Sequence, residues 1–325
     1  MRAPDPSQAK RRDRSEQRTE RLFADEAGIK RAADLILSGK TVSFATETVY
    51  GLGADATNSA AVAAIYAAKE RPQFNPLIAH VADVSAADAL VCIPPALEPL
   101  ISDHWPGPLT LVLPKKSDMV SDLVTAGLST LAVRVPARAS ARAMLRAVNR
   151  PVAAPSANPS GRISPTTADH VLSGLDGKIA AVLDDGPCDV GLESTILGWE
   201  DGPVLLRAGG LSVEAIETAL NCSVRSTKGE AITAPGQLLS HYAPQAALRL
   251  NATQAEPEEL LLRFGDGPSD WTLSPTGDLT EAAANLFAML HRADRVATRI
   301  AVMPIPQTGL GLAINDRLNR AAAPR

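Results

Sequence analysis

Hydroxyl-bearing residues, an acid and two glycines are concentrated early in the chain, in the segment Thr46-Glu-Thr-Val-Tyr-Gly-Leu-Gly53. Hydroxyl groups orient a ligand, and glycines let backbone N–H groups approach it closely. The spacing fits neither the G-x-x-x-x-G-K-[ST] phosphate loop nor the G-x-G-x-x-G dinucleotide turn. The segment therefore argues against a P-loop NTPase and against a Rossmann dehydrogenase. By itself it is more typical of a structural turn after a strand.

Two cations and an amide follow at a predicted helix end between prolines, in Lys69-Glu-Arg-Pro-Gln-Phe-Asn-Pro76. Arginine offers a phosphate a fork of donors, and lysine offers it a point charge. The alternative interpretation is charge compensation at the C-terminal end of a helix. His80 stands in the apolar strand that follows, where a satisfied core histidine is the simpler interpretation.

A single arginine, Arg134, interrupts the apolar strand Leu131-Ala-Val-Arg-Val-Pro136. An arginine that faces a domain interior needs an anionic partner. The sequence leaves two partners open: a structural Asp or Glu, or the carboxylate of a ligand.

Further hydroxyls, small residues and cations lie in three later loops: Ala153-Ala-Pro-Ser-Ala-Asn158 with Ser160-Gly-Arg-Ile-Ser-Pro165, Gly191-Leu-Glu-Ser-Thr195, and Leu205-Leu-Arg-Ala-Gly-Gly210. No Cys/His or Ser/His/Asp constellation accompanies them. Together the loops predict one concave site that contains many hydroxyls and several cations. Such a site suits chemistry on phosphate that depends on positioning and charge rather than on a protein nucleophile.

Hydrophobic periodicity predicts an α/β fold for the elements that must hold these loops. In the first part, strands are predicted at 41–45, 77–81, 109–113, 131–135, 152–154, 179–183, 195–199 and 204–206, with helices at 29–37, 59–68, 141–148, 165–172 and 212–220. In the last part, strands are predicted at 247–251, 260–264 and 300–305, with helices at 280–292 and 312–320. Ser164 is the expected N-cap of the helix at 165–172, with Pro165 at its first position.

These elements divide the chain into four segments. We expect a disordered, polar lead-in at 1–24, a catalytic α/β domain with a twisted open sheet at 25–220, a linker or lid at 221–245, and a small α/β domain of Rossmann-like type at 246–325. The linker carries several glycines and prolines without a clear period, which is typical of a segment that crosses between domains.

Composition limits the classes of protein that remain. The 325 residues carry a net charge of −4, which excludes a dominant polycationic face for nucleic acid. No apolar run reaches the ~20 residues of a membrane span. The three cysteines are odd in number and widely spaced, so a disulfide framework is not expected and a reducing, cytoplasmic location is the simplest prediction.

With these motifs in their order, the sequence closely resembles the YrdC-like family. The motifs are Ala45-Thr-Glu-Thr-Val-Tyr-Gly-Leu-Gly53, Lys69/Arg71-Pro72/Asn75-Pro-Leu77, Trp105-Pro-Gly-Pro-Leu-Thr110, Ala132-Val-Arg-Val-Pro136, Ala154-Pro-Ser-Ala-Asn158 and Glu193-Ser-Thr195. Ala234-Pro-Gly236, His241-Tyr-Ala-Pro244 and Gly309-Leu-Gly-Leu-Ala-Ile-Asn-Asp-Arg317 resemble its longer, two-domain form, the L-threonylcarbamoyladenylate synthases of tRNA modification.

The resemblance implies a nucleotidyltransferase that converts L-threonine, bicarbonate or CO2, and ATP into threonylcarbamoyl-AMP and pyrophosphate. Mg²⁺ is expected with the ATP, and no metal ligand is expected from the protein. A downstream transferase complex would carry the product to adenosine 37 of tRNA. The threonine site implied by motif position comprises Thr48, His80, Arg134, Ala154 through its backbone, and Ser194. The implied ATP site comprises Arg71, Asn75, Thr130, Ser156, Ser164, Arg207, Ser240 and Tyr242, and Lys69 and Arg71 would stabilise charge on the phosphates.

The chain departs from the family pattern at two positions. Ser240 stands where the family often has a basic residue, which affects how the linker would hold the nucleotide. Ala208 follows Arg207 where the family tends to have proline.

Two other functions remain as alternatives. One is a double-stranded RNA-binding module without catalysis, which the acidic net charge disfavours. The other is a carbamoyl transferase of metal-centre maturation, which would need cysteine-rich zinc motifs that three scattered cysteines do not supply.

Overall fold

The computed structural model describes residues 18–72, 75–226, 241–265 and 267–324. In that part of the chain, 15 strands form two sheets, and ten α-helices pack against them. The strands are β1 (Glu20–Phe23), β2 (Val42–Phe44), β3 (Gly51–Asp55), β4 (Ile78–His80), β5 (Leu109–Pro114), β6 (Thr130–Arg134), β7 (Val152–Ala153), β8 (Ala181–Asp184), β9 (Thr195–Trp199), β10 (Pro203–Arg207), β11 (Arg225–Ser226), β12 (Ala247–Arg249), β13 (Leu260–Phe264), β14 (Thr272–Ser274) and β15 (Arg299–Val302). The helices are α1 (Glu26–Leu37), α2 (Ser59–Lys69), α3 (Val84–Asp88), α4 (Glu98–His104), α5 (Asp122–Thr125), α6 (Ala139–Val148), α7 (Ala168–Leu175), α8 (Val213–Leu220), α9 (Leu279–Asp294) and α10 (Leu310–Ala322), and Pro95–Leu97 forms a 3₁₀ turn.

The large sheet has 11 strands in the order β1-β8-β2-β3-β7-β4-β6-β5-β9-β10-β11. Parallel and antiparallel pairs are mixed along it, as in β4 with β6 (parallel) and β6 with β5 (antiparallel). Its core is aliphatic, as the 3% aromatic content of the chain requires. The large twisted sheet of the predicted α/β fold is therefore confirmed.

Local sequence explains where α2 begins and ends. The Asn58 side chain accepts hydrogen bonds from the backbone N–H groups of Ala60 and Ala61, which satisfies two donors of the first turn. Glu70 adopts a left-handed conformation with φ 55° and ends the helix. The chain reverses there, which places Lys69 and Arg71 at the edge of the sheet.

The small domain is a four-stranded, all-parallel sheet in the order β12-β15-β13-β14, covered by α9 and α10. Its hydrophobic cluster also contains Val49, Ile163 and Leu192 of the large domain. The two domains therefore share apolar contacts beside the loops that carry the predicted site.

Three predictions about the elements are wrong. The disordered lead-in does not extend to residue 24, because β1 pairs in register with β8 and Arg21 forms an ion pair with Asp184; residues 1–17 lie outside the described part. The helix predicted at 165–172 begins at Ala168 with Thr167 as its N-cap, so Ser164 caps nothing. The segment 46–53, interpreted as a structural turn, runs into strand β3 at Gly51, so its last three residues are part of the sheet.

The predicted linker at 221–245 is also partly revised. Residues Arg225–Ser226 form β11, which pairs with β10 and so belongs to the large sheet. Residues 227–240 lie outside the described residues. No helix in the described part of the chain has the length and apolarity to cross a membrane.

Candidate functional site

Loops from the large domain and the segment that leads into the small domain line a common cavity. It lies where loops following β2, α2 and β7 meet the end of β10 and the segment before β12. The lining residues are Thr46, Thr48, Val49, Gly51, Arg71, Ile78, His80, Arg134, Ala154, Pro155, Ser156, Glu193, Ser194, Arg207, His241 and Tyr242. All five residues of the implied threonine site line this cavity.

Arg134 and His80 stand side by side because β4 and β6 are parallel neighbours with His80 opposite Arg134. Nη2 of Arg134 donates to Oε1 of Glu47 at 2.6 Å, and its Nε donates to the Gly107 carbonyl at 3.2 Å. The second carboxylate oxygen of Glu47 accepts the N–H of Ala137 at 2.8 Å. Of the two partners that the sequence left open for Arg134, the structural acid is therefore present, and it is Glu47. Nη1 of Arg134 forms no hydrogen bond with the described residues, which keeps donors for a ligand.

His80 is a neutral residue of the cavity wall. Burial, and then the positive charge of Arg134, lower the pKa of its imidazole to about 3. Its Nδ1 has no hydrogen-bond partner among the residues described. The ring can therefore exchange a hydrogen bond with a ligand without adding charge to the site.

Hydroxyls on opposite sides of the cavity are oriented by their neighbours. The Thr48 hydroxyl lies 2.8 Å from that of Thr46, which in turn donates to the Val49 carbonyl. The Ser194 hydroxyl lies 2.7 Å from that of Thr110. These bonds fix side chains that would otherwise rotate, so the predicted hydroxyls are pre-oriented. 

The implied backbone contribution of Ala154 is restricted. Its N–H donates to the Ile78 carbonyl at 2.9 Å, which joins the loop after β7 to β4. A ligand can therefore meet only the carbonyl or the methyl group of this residue.

Arg71 lines the cavity, whereas Lys69 lies behind it. Burial lowers the pKa of Arg71 to about 10, a value at which it is charged at neutral pH. The Lys69 ammonium donates to the carbonyls of Ser156 and Asn158, and burial followed by repulsion from Arg71 lowers its pKa well below the usual value. Lys69 thus supports the loop that carries Ser156, and direct contact with phosphate stays a prediction.

Asn75 is fully buried beside Arg71, whose Nη2 donates to the carbonyls of Asn75 and Pro76. Neither side-chain atom of Asn75 has a partner within the described residues. A buried amide without partners is costly, and Asn75 does not line the cavity, so its implied role in ATP binding stays a prediction.

Ser164 is not the predicted N-cap, and its implied role in ATP binding stays a prediction. Its hydroxyl donates to Oε1 of Glu193 at 2.5 Å, and it does not line the cavity. Arg207 donates from Nε and Nη2 to the Ser194 carbonyl at 3.2 and 2.8 Å. Ser164 and Arg207, both of the implied ATP site, are therefore linked through the segment Glu193-Ser194.

Three of the described residues of the implied ATP site, Asn75, Thr130 and Ser164, do not line the cavity. Thr130, the first residue of β6, is partly exposed and pairs with Pro114 away from the lining. Ser240 lies outside the described residues. 

Tyr242 does reach the cavity, although it lies at the end of the linker. Its ring stacks on Phe287 of α9 with centroids 5.6 Å apart, and the N–H of the next residue, Ala243, donates to the Gly161 carbonyl at 2.8 Å. The chain segment before β12 is thereby joined to both domains at the cavity.

Sequence reasoning missed four residues at or behind the lining. They are Glu47, Glu193, His241 and Arg317. Glu47 and Glu193 lie within the motifs that predicted the site. Because a buried arginine needs an acidic partner, an acid in one of these motifs was the signal that could have identified them. Arg317 stands in the motif at the end of the chain, and no local pattern connects it with Glu193, 124 residues away.

The charge balance of the lining is positive. Among the described lining residues are three arginines, Arg71, Arg134 and Arg207, and one carboxylate, Glu193. Glu47, which does not line the cavity, is paired with Arg134, so the arginines exceed these carboxylates by one. Burial strengthens the attraction of such an excess for an anion. The cavity is built for a strongly anionic ligand.

Comparison with known proteins agrees with this geometry. A model of the Sua5, YciO and YrdC proteins, described as "Telomere recombination", matches residues 34–209, and one described as "Threonylcarbamoyl-AMP synthase, C-terminal domain" matches residues 211–323. The threonylcarbamoyl-AMP synthase of Bacillus subtilis is 40% identical over 94% of this chain and 96% of its own length. That of Pyrococcus abyssi is 39% identical over 93% of this chain and 96% of its own.

Solved structures give the same result. The crystal structure of P. abyssi Sua5 complexed with L-threonine superposes with a TM-score of 0.83 at 37% identity, covering 94% of this chain and 97% of that one. Escherichia coli YciO, at 19% identity and a TM-score of 0.54 over 60% of this chain, shares the fold of the large domain. The chain therefore belongs to the two-domain threonylcarbamoyl-AMP synthases of the YrdC-like family.

Proposed function

We propose that this chain makes threonylcarbamoyl-AMP and pyrophosphate from L-threonine, bicarbonate or CO2, and ATP. The observation that carries the proposal is the cavity lining, in which Arg71 and Arg207 accompany Arg134, whose charge is already paired with Glu47, and a single lining carboxylate, Glu193. A triphosphate supplies the negative charge that this excess requires. The oriented hydroxyls and Arg134 beside it suit a small hydroxy amino acid with a carboxylate.

The reaction needs no nucleophile from the protein. The deprotonated amine of threonine adds to CO2 and loses a proton, which gives a carbamate. A carbamate oxygen then attacks the α-phosphorus of ATP, and pyrophosphate leaves with the electron pair of the broken P–O bond. The enzyme has to hold the two substrates in line and exclude water from the labile product.

The side chains divide this work. Arg134 would clamp the threonine carboxylate, with neutral His80 and the hydroxyls of Thr48 and Ser194 around the remaining polar groups. Arg71 and Arg207 would stabilise the charge that shifts to the leaving pyrophosphate. Mg²⁺ belongs to the proposal as the companion of the triphosphate, whose oxygens would hold it. Glu193 already accepts hydrogen bonds from Ser164 and Arg317.

The assay is pyrophosphate release from MgATP by the full-length chain, with the adenylate identified by mass spectrometry. Release must require both threonine and bicarbonate, and omission of either is the internal control. ATP hydrolysis that is independent of threonine, or no turnover at all, would contradict the proposal. Salt-dependent binding of double-stranded RNA without turnover would revive the alternative function, which no comparison supports.

The product places the chain at the start of a transfer sequence. A mixed anhydride of a carbamate and AMP is an activated donor, so a transferase acting on tRNA adenosine 37 is the proposed consumer. A cytoplasmic location follows from that partner and stays a proposal.

A further inference from the structure

Arg317 of α10 is the largest side chain that is fully buried in the described part of the protein, although it carries a charge. Its Nε donates to Oε2 of Glu193 at 2.9 Å, and its Nη1 donates to Oδ2 of Asp316 at 2.8 Å. Its guanidinium carbon lies 5.3 Å from the centroid of the Tyr242 ring. A residue of the small domain thus touches two lining residues of the cavity without lining it itself.

Stability alone does not account for this arginine. A buried ion pair costs about as much in desolvation as it returns in attraction, and apolar replacements are often neutral or better. Nη2 of Arg317 also lacks a partner among the described residues, which adds the desolvation cost of an unsatisfied buried donor. A helix that needed only to pack would be better served by leucine at this position.

What Arg317 contributes is its effect on Glu193. Both of its carboxylate oxygens are held, Oε1 by the Ser164 hydroxyl at 2.5 Å and Oε2 by Arg317. Burial alone would raise the pKa of Glu193, and the charges of Arg317 and then Arg207 bring it below its usual value. Glu193 is therefore ionised, and the larger part of the compensation for its negative charge comes from Arg317, behind the cavity wall.

The same turn of α10 also holds the segment that carries Tyr242. Asp316 accepts hydrogen bonds from both Arg317 and Arg320, and the backbone carbonyl of Arg320 accepts the N–H of His241 at 3.2 Å. One helical turn thus fixes Glu193 on one side of the cavity and the His241-Tyr242 pair on the other.

We infer that Arg317 is a positioning residue for the nucleotide part of the site, an inference that rests on the proposed function. It holds Glu193 and Tyr242 in place and cancels the Glu193 charge, so that the cavity keeps its positive balance toward a triphosphate. Docking of the small domain is then a condition for tight ATP binding, because Arg317 reaches Glu193 only when α10 lies against the large domain. Threonine binding at Arg134, which is held by Glu47 and not by Glu193, depends on Arg317 much less.

The test uses the full-length chain with four variants: Arg317→Gln, Glu193→Gln, the two combined, and Arg320→Gln. Arg320 is the matched control because it lies on the same helix and bonds to the same Asp316. MgATP binding is measured by calorimetry without threonine, and KM for ATP, KM for threonine and kcat are measured in the pyrophosphate assay. Thermal unfolding of each variant establishes that it is folded at the assay temperature.

Arg317→Gln is expected to weaken MgATP binding at least tenfold, with KM for threonine changed less than threefold. The combined variant removes the uncompensated carboxylate and should recover most of the loss, whereas Arg320→Gln should stay within twofold of the parent. Equal losses for both substrates, or a combined variant weaker than Arg317→Gln, would show a merely structural role and overturn the inference.

Hydrogen exchange separates this inference from the proposed function. The amides of Ala243 and Gly210 donate to Gly161 and to Glu193 respectively, so they report the two held segments. Arg317→Gln should speed exchange at both amides, and the combined variant should slow exchange at Gly210 again. If the parent chain neither binds ATP nor releases pyrophosphate, the proposed function is wrong. Unchanged hydrogen exchange in Arg317→Gln would separately refute the positioning role of Arg317.

Discussion

The pair formed by Arg134 and Glu47 allows threonine recognition to be separated from folding. Both side chains are almost fully buried, and the bond between them is 2.6 Å long. Replacing Arg134 by alanine leaves the Glu47 carboxylate buried without its cation, which costs about 3–5 kcal/mol of stability. The variant would also lose the donors for the substrate carboxylate, a separate effect on binding.

The binding loss follows from the donors that remain on Arg134. Hydrogen bonds to charged groups contribute about 1.5–3 kcal/mol each, so two such bonds to a carboxylate amount to about 3–6 kcal/mol. At about 1.4 kcal/mol per factor of ten, KM for threonine should rise at least 100-fold. KM for ATP should change much less, because Arg71 and Arg207 are retained.

The decisive variant is Arg134→Met combined with Glu47→Gln, which removes both charges together. It should recover most of the unfolding free energy lost in Arg134→Ala but none of the threonine affinity. Arg134→Lys should also bind threonine poorly, because a lysine lacks the planar fork. Denaturant unfolding and threonine titration measure the two quantities separately. A folded Arg134→Ala protein with parental affinity for threonine, or a double variant that regains that affinity, would refute the assignment of the carboxylate site to Arg134.

Three further predictions concern the support of the site. Lys69→Met removes the ammonium that holds the loop after β7 and should lower kcat roughly 10- to 100-fold with a smaller effect on threonine affinity; parental turnover would leave Lys69 without a role in the reaction. Gly191→Ala adds a Cβ only 2.5 Å from the backbone of α9 at a φ of +71°, whereas Gly127 has a similar φ of +79° and open space. Gly191→Ala should therefore cost about 1–3 kcal/mol more than Gly127→Ala in denaturant unfolding, and equal costs would mean that the domains do not dock as described. His170 and His291 stack across the domain contact with centroids 3.9 Å apart, and burial lowers their pKa values to about 3 and about 4. The unfolded chain thus binds more protons than the folded one below about pH 6.5, so unfolding free energy should fall by about 2 kcal/mol per histidine from pH 7 to pH 5. Replacing both histidines by phenylalanine should flatten that slope, and an unchanged slope would contradict the burial argument.

The linker hypothesis stays a prediction. ATP with threonine should protect the segment 221–244 from proteolysis if this segment closes over the cavity, and equal cleavage with and without both ligands would leave it as a tether. The reason for this prediction is that His241 and Tyr242, at the end of the segment, line the cavity.

Local sequence determined much of this protein. Alternation and run length located most strands of the large sheet, since each buried strand is a short apolar segment between turn residues. Composition required an aliphatic core. The order of six motifs identified the family, and six of the predicted site residues that line the cavity stand in those motifs, because the motifs carry the backbone turns and polar groups that the ligand needs.

Where local signals compete, the sequence alone misled. The glycines of β3 suggested a turn, yet Gly53 lies in the strand. Glycine is needed there because a Cβ would come within 2.8 Å of Phe44 and 2.9 Å of Val152. Ser164 followed by proline suggested a helix start, yet the Ser164 hydroxyl is held by Glu193 and the cap is Thr167. In both places a contact with a distant part of the chain outweighed the local preference.

Only the tertiary structure decided which charges pair. The sequence predicted that Arg134 needs an anion but not that Glu47 supplies it, because pairing depends on how the loop before β3 folds over β6. The sequence placed Arg317 in a motif but did not indicate an acidic partner for it. Arg317 of α10 meets Glu193 only after the small domain docks. Long-range pairing between buried charges leaves no periodicity in a sequence, so the electrostatic design of this site is a property of the assembled fold.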